Sequence, residues 1–444
     1  MAVTTDHGPV TEAAAPAGAY SPLYTCYITF ILALVTLLAS ADRNILNVLL
    51  IPIQDELQVS DSMMGLLSGT AFSLVYATVA LPLGWAADRG NRRNLIALAV
   101  GFWSVMTALC GAASSYLTLM LARVGVAAGE AGHQPAILSL VGDLYAQSRR
   151  GIAVGSIYMG SSLGIGAGSW LAGRLAEDYG WRVAFLALGL PGVAVALLVF
   201  LTLPEPTRGA FEGRAAAKIP NEGVWKSLKY LASVKTIPRL LGAKLILQIG
   251  FMGFLAWSTA FFVRIHGMTN AEAAGLFGLS VMLGGVAAQI IAGLGSDFLA
   301  KKGERWRAYW CTGCLLAGVP FVLMVILGST NLAVFGLFMI AILAGGATTG
   351  SITAGLGVVR PAMRGFMTAV MMFCILGVGG SLGPLVIGGL NDALKATYGD
   401  GAIRYTMLFV PVSWTLAAGL FWLAGRTTDH DAALALGEAG PAGA

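Results

Sequence analysis

Twelve apolar runs between residues 25 and 425 each reach roughly the 20 residues that a helix needs to cross the hydrocarbon core of a bilayer. They lie at 25–49, 62–86, 94–114, 116–142, 151–174, 182–203, 240–263, 272–295, 307–328, 331–357, 365–390 and 403–425, and are called spans 1 to 12 below. With no water to bond their backbone, runs of this length are stable in lipid as helices. The predicted fold class is therefore an all-α membrane protein. Most connections are short, but residues 204–239 are polar and charged and divide the spans six and six. The predicted organisation is a tail (1–24), a six-helix bundle (25–203), a linker (204–239), a second six-helix bundle (240–425) and a second tail (426–444). The first 20 residues contain no Lys or Arg and no cleavable signal pattern, so span 1 is expected to serve as its own targeting signal.

Composition agrees: 57% of residues are apolar and 11% charged. The net charge of +5 does not indicate a nucleic-acid partner, because no basic run is interleaved with aromatics. Five cysteines in mostly apolar surroundings form no disulfide framework. Cys311 and Cys314 have CxxC spacing but no His or Cys partners, and read as small packing residues; no metal or cofactor is expected. The basic residues set the orientation. Connections after even-numbered spans, with the C-terminal tail, carry 19 of the 27 Lys and Arg, and those after odd-numbered spans carry five. The positive-inside rule then places the linker and both termini in the cytoplasm.

Charges inside the spans point to function, since even the lowest estimates put a charge at the bilayer centre at about 2.5–3.5 kcal/mol. Asp42 and Arg43 lie in span 1, Arg123 and Glu130 in span 4, and Lys244 near the start of span 7, where it is expected to snorkel to the cytoplasmic interface. At a rise of 1.5 Å per residue, Asp42 lies about 10–12 Å below the outer end of span 1 and Arg123 about 10 Å below that of span 4. Glu130 is about 21 Å down, two turns from Arg123 on the same helical face. Burial and a neighbouring Arg push a carboxyl group's proton affinity in opposite directions. A carboxylate that alternates between water and an Arg can thus bind and release a proton, while Arg keeps its own. Asp42 and Glu130 are accordingly expected to carry protons and Arg123 to switch partners as a movable counter-ion. Arg43 points about 100° away from Asp42, and either faces a cavity as an anion anchor or pairs elsewhere. His133, three residues after Glu130, is a candidate for the same relay or a packing residue. Gln248, Gln289, Thr348, Thr349, Ser351 and Thr353 are candidates to line the second half of a cavity or to join helices.

The chain also repeats itself. GWAADRGNRR (84–93) follows span 2, and GLGSDFLAKK (293–302) follows span 8, each with Asp four residues after Gly and basic residues eight and nine after it. Arg150-Gly151 and Arg364-Gly365 open the glycine-rich spans 5 and 11. The halves read as parallel repeats that rock about a central site. GWAADRGNRR resembles the loop signature of the major facilitator superfamily, with Gly84, Asp88, Arg89, Arg92 and Arg93 at matching positions and the second glycine displaced. LPEPTRG (203–209) is similar to that family's sequence at the end of its sixth span. Asp42-Arg43, NRR and the Gly-Glu-Ala of span 4 resemble the spinster group. A Gly-Glu-Ala there and the GWR at 180–182 also occur in organic anion symporters.

The resemblance implies two six-helix bundles related by a pseudo-twofold axis, a monomer, and spans 1 and 4 bordering a central cavity. It implies that Asp88 faces the N-terminus of span 11 near Arg364, where the helix dipole favours a carboxylate. By the repeat, Asp297 faces span 5 near Arg150, and these contacts form a cytoplasmic gate. It also implies a proton-linked transporter of the plasma or bacterial inner membrane moving an amphipathic lysolipid or sphingoid phosphate, with small organic anions as the alternative substrate. An enzyme is not expected, since HExxH and a sizeable soluble domain are both missing from the sequence.

Overall fold

The structure is a computed structural model, and it describes residues 20–145, 147–207, 224–360 and 363–436. The predicted tails and the linker thus fall partly outside the described residues, as do the side chains of Asp88 and Asp297. Helices occupy all twelve predicted positions, and there is no strand among the described residues. Among the described residues nine stretches could cross a membrane by length and composition, one of them (Arg364–Ala435) holding spans 11 and 12 together. The broken span 4 and the Gly- and Ser-rich span 5 make up the remainder.

Three spans are not the continuous α-helices that their apolar patterns suggest. Span 4 runs as Tyr116–Glu130 and His133–Leu144 with a turn between them, immediately after Glu130. Span 2 contains a π-helical segment, Leu66–Thr70, between Asp61–Gly65 and Ala71–Arg89. Span 11 contains another, Phe373–Gly379, between Arg364–Met372 and Gly380–Tyr398. Such segments are rare and recur at functional sites.

Each bundle packs in the same order. Span 1 lies on span 5 and span 3 on span 6; span 7 lies on span 11 and span 9 on span 12. Close approach explains the glycines of span 5 (Gln147–Tyr179). A Cβ at Gly160 would lie 2.2 Å from the Ala33 carbonyl oxygen, and one at Gly164 would lie 2.1 Å from that of Leu37. At Gly168 it would lie 2.5 Å from the Ala41 Cβ, so the stripe fixes the turn of span 1 that carries Asp42 and Arg43. Other glycines of the helix face the second bundle, with Gly166 against Met282 of span 8 and Gly173 against Ala274. Cys311 and Cys314 lie against Gly350 and Gly346 of span 10, at 3.1 and 3.5 Å from their built Cβ positions.

Arg92, a residue of the predicted gate, serves in this state to hold one bundle together. It is completely buried at the start of span 3; Nε donates to Glu205 Oε1 at 2.8 Å and Nη2 to the Pro206 carbonyl at 2.7 Å. Nη1 bonds Asp143 at the end of span 4. The NRR and LPEP segments, separate in sequence, thus meet as one buried ion-pair network.

The glycine contacts generate a paired test. Gly164→Ala should destabilise the purified protein by roughly 1–3 kcal/mol through overpacking. Gly155→Ala, on the same helix but with nothing within 4 Å of the new methyl, should keep or slightly raise its melting temperature, since Ala favours a helix over Gly by up to about 1 kcal/mol.

Candidate functional site between spans 1 and 4

The four charges of spans 1 and 4 form two ion pairs. Arg123 Nη1 lies 3.1 Å from Asp42 Oδ1, with both side chains at most 5% exposed. Thr107 of span 3 donates to the other Asp42 oxygen. Arg43 Nη2 lies 2.8 Å from Glu130 Oε2; Glu130 is fully buried, while the Arg43 side chain keeps 34% of its surface exposed. Arg43 thereby fits both alternatives open from sequence, since it pairs and also faces open space. Glu130 Oε1, Arg43 Nε and Arg123 Nε are buried without a hydrogen-bond partner. Burying a charge this deeply is tolerable only with a counter-charge at hand, and each carboxylate has an arginine.

Span 2 supplies a component that sequence reasoning missed. The Phe72 ring centroid is 5.7 Å from the Arg43 guanidinium carbon and 5.2 Å from that of Arg123. Tyr76, one turn on, lies 5.3 Å from Arg43. The signal was present, because Phe72 and Tyr76 are four apart on one helical face, where aromatic rings can receive cations. His133 sits just beyond the break in span 4. Its Nδ1 lies 2.5 Å from the Glu130 carbonyl oxygen and its ring packs 5.1 Å from Trp103. In this state His133 contacts the backbone of Glu130, with no contact between its ring nitrogens and the carboxylate.

The second bundle differs from expectation at Lys244. Rather than snorkelling, it is fully buried, with Nζ 3.0 Å from the Thr348 carbonyl oxygen and 2.8 Å from Ser351 Oγ. Span 7 runs Thr236–His266, starting four residues before its predicted limit and placing Lys244 two turns inside the helix. Gln248 Nε2 donates to Thr348 Oγ1 at 3.0 Å. Ser351 is buried, Thr349 half-buried and Gln289 exposed on span 8.

At the end that the positive-inside rule assigns to the outside, the bundles are clamped together. Arg264 of span 7 grips Asp61 of span 2 through two bonds of 2.6 and 2.9 Å, and also donates to Gln54 Oε1 at 2.7 Å. Asp392, beyond the outer end of span 11, accepts from the Asp61 and Ser62 backbone N–H groups at 3.0 and 2.8 Å. It is a carboxylate at a helix N-terminus, supplied by the opposite bundle. Close backbone contact follows: a Cβ at Gly65 would lie 2.5 Å from the Pro384 carbonyl oxygen.

The opposite end is open. Added Cβ atoms at Gly84, Gly151, Gly155 and Gly365 meet nothing within 4 Å. Of the predicted gate residues, Arg89 stacks 4.5 Å over its neighbour Trp85, and the Arg93 backbone bonds Glu205. Arg150 donates to the Tyr145 and Gly142 carbonyls at 3.1 and 2.6 Å, and Arg364 is exposed. The contacts seen for Arg89 and Arg93 thus stay within the first bundle, and an added Cβ at Gly84 meets nothing within 4 Å.

Two repeated six-helix bundles, clamped at one end and parted at the other around buried charges, define a membrane transporter. The chain belongs to the major facilitator superfamily, whose family model matches residues 32–384. It is 32% identical over 403 residues to an MFS-type efflux pump of Mycolicibacterium smegmatis, covering 90% of this chain and 92% of that one. It is 28% identical to the probable galactarate/D-glucarate transporter GudP of Bacillus subtilis, over 63% of this chain and 66% of the relative. It is 26% identical to the sphingosine-1-phosphate transporter SPNS2 of Danio rerio, over 86% and 80%. Among solved structures it is similar to a bacterial homolog of the human lysosomal transporter Spinster, inward-facing and unoccupied. That match has a TM-score of 0.84 and 26% identity, covering 95% of this chain and 100% of the other. The family is one of transporters, not enzymes.

The clamp should be testable by spectroscopy. Burial works to raise the Asp392 pKa, but the hydrogen bonds from Ser62, Ser60 and Asp61 outweigh it and hold the carboxyl below its usual range. A depressed pKa in the clamped state stabilises that state above the ordinary carboxylate value of about 3.9, and the contribution is lost as pH falls through the depressed value. Lowering the pH from about 7 to about 5 should therefore leave this contact closed. Asp61→Asn should cost the clamp about 2 kcal/mol, shifting the population toward outer opening by roughly 30-fold. Distances between spin labels across the outer ends of spans 2 and 11 would read both effects.

Proposed function

We propose that the protein is a proton-linked secondary transporter that works by alternating access and carries an amphipathic anion of the lysolipid or sphingoid-phosphate type. The observation that carries this reading is Glu130. It is fully buried at the break in span 4, with one oxygen on a partly exposed Arg43 and the other on nothing. The free Oε1 is where a proton would reside. Protonation would release Arg43, whose exposed side could then meet an anionic substrate. Asp42 and Arg123 form the second carboxylate–arginine pair, and Arg123 lies two turns from Glu130, within reach of a change of partner as the bundles rock. The proton is the only coupling ion this reading requires.

The cycle needs a second closed state, at the cytoplasmic end. We assign that closure to Asp88 against span 11 near Arg364, and to Asp297 against span 5 near Arg150. The resemblance to spinster proteins and the similarity to SPNS2 support a lipid-like substrate. The similarity to GudP favours a second reading, a symporter of small organic anions. In both, the protein works as a monomer in the bacterial inner membrane with both termini cytoplasmic.

Uptake into proteoliposomes under an imposed pH gradient tests the proposal. The probes are lysophospholipids, sphingoid phosphates and small organic anions, and wild type is compared with Glu130→Gln. Gradient-driven movement of a lipid probe that Glu130→Gln reduces by about 100-fold or more is expected, about 100-fold being the lower end of typical acid–base effects. Lipid flux indifferent to both pH and Glu130 would make the protein a facilitator and remove the proton-carrier role. Movement of small anions alone would select the second reading.

A further inference from the structure

Among the described residues fully buried cations are few, and all but one have a carboxylate. Arg92 has Asp143 and Glu205, and Arg123 has Asp42. Lys244, 0% exposed in a spanning helix, has only the Thr348 carbonyl and the Ser351 hydroxyl. Among the described residues no carboxylate lies within ion-pair distance of it. An ammonium has three protons to donate, and two of them have acceptors here.

A second unsatisfied group lies one helical turn away. Gln248 is also completely buried, its amide nitrogen on Thr348 Oγ1, and its Oε1 accepts no hydrogen bond. Lys244 and Gln248 are four residues apart and so share a helical face, and both bond the same residue of span 10. Half-buried Thr348 and Thr349 mark the edge of the cluster. A buried charge without a counter-charge is costly, whereas an apolar residue of like volume at such a site is often neutral or stabilising. The chain nevertheless places a lysine here, next to an unused acceptor.

We propose that Lys244, with Gln248, Thr348 and Ser351, forms a receptor within the C-terminal bundle for the anionic group of the transported molecule. It deepens the function proposed above and rests on it. Lys244 supplies the missing half of an ion pair, on a flexible four-carbon stem able to turn from Thr348 toward the ligand. Gln248 Oε1 accepts from a hydroxyl close to that anion. The ligand chemistry is thus a carboxylate or phosphate with a neighbouring hydroxyl, a pattern common to lysophospholipids and hydroxy-acids. While Asp42 and Glu130 are ionised they engage Arg123 and Arg43, so Lys244 is the fully buried cation, among the described residues, that an incoming anion can neutralise without breaking a resident pair.

The test uses full-length protein in nanodiscs and proteoliposomes, with 1-oleoyl lysophosphatidate and D-glucarate as anionic probes and 1-oleoylglycerol as the neutral control. Wild type should bind and transport at least one anion. Lys244→Met should weaken that binding by roughly 30-fold or more, with 1-oleoylglycerol binding unchanged and an equal or higher melting temperature. Lys244→Arg should retain part of the anion affinity. Binding of lysophosphatidate alone assigns the site to lipid, and of D-glucarate alone to small hydroxy-acids. Equal anion binding by wild type and Lys244→Met overturns the receptor while leaving the transporter intact. A melting temperature that falls with anion affinity unchanged makes Lys244 a structural residue and overturns it likewise. Failure of wild type to bind or move either anion overturns the proposed function, and the receptor with it.

Discussion

The pairing of buried charge governs this structure. An arginine or a carboxylate in a spanning helix brings a desolvation cost that only an opposite charge nearby can offset. Asp42 with Arg123 and Glu130 with Arg43 meet that requirement across spans 1 and 4, and the requirement fixes how those helices are rotated. Span 5 then holds span 1 in place by direct backbone contact, and Phe72 of span 2 lies against both arginines. The consequence for function is that neither pair can change without a partner moving. In the function proposed above, a proton arriving at Glu130 would change the charge that holds Arg43, the member of the set with the most exposed side chain.

The two ends of the molecule differ in how they use the same helices. At the clamped end span 2 meets span 7 through a bidentate arginine, and span 11 through a carboxylate capping a helix from the other bundle and backbone contact at Gly65. Thr70, at the end of one π-helical segment, bonds the Ser381 carbonyl just past the other, at 2.9 Å. The irregular backbone of both helices is thus concentrated where the bundles touch. At the other end the same two helices stand apart around Gly84 and Gly365.

Much of this was legible in the residues. Twelve apolar runs, the six-and-six division and the repeated Gly-x-x-x-Asp segments define the architecture, and helical rise alone set Asp42 level with Arg123. The partner of Glu130 was less legible, because its spacing from Arg123 suggested that arginine, whereas Arg43 reaches it from the neighbouring helix. Helical rise locates depth but does not say which helix is adjacent. Lys244 was misread for a similar reason: its predicted place near a helix end came from hydropathy, but the helix extends beyond the apolar run. Arg264 and Asp61 look like ordinary loop charges in sequence, since their pairing joins residues about 200 positions apart. The break after Glu130 and the two π-helical segments leave no mark in an apolar pattern, because they are set by tertiary contacts.

Span 5 carries its glycines on two faces with different fates. Those at 160, 164 and 168 recur every four residues and touch span 1, a neighbour within the same bundle. Those at 166 and 173 recur after seven and touch span 8, which belongs to the other bundle. A side chain added on the first face opposes a contact inside one bundle, so its effect falls on whether the protein assembles. One added on the second opposes a contact that a rocking motion would break, so its effect falls on which conformation the assembled protein occupies. Along a single helix, a rotation of less than one turn separates folding variation from variation in transport direction or rate.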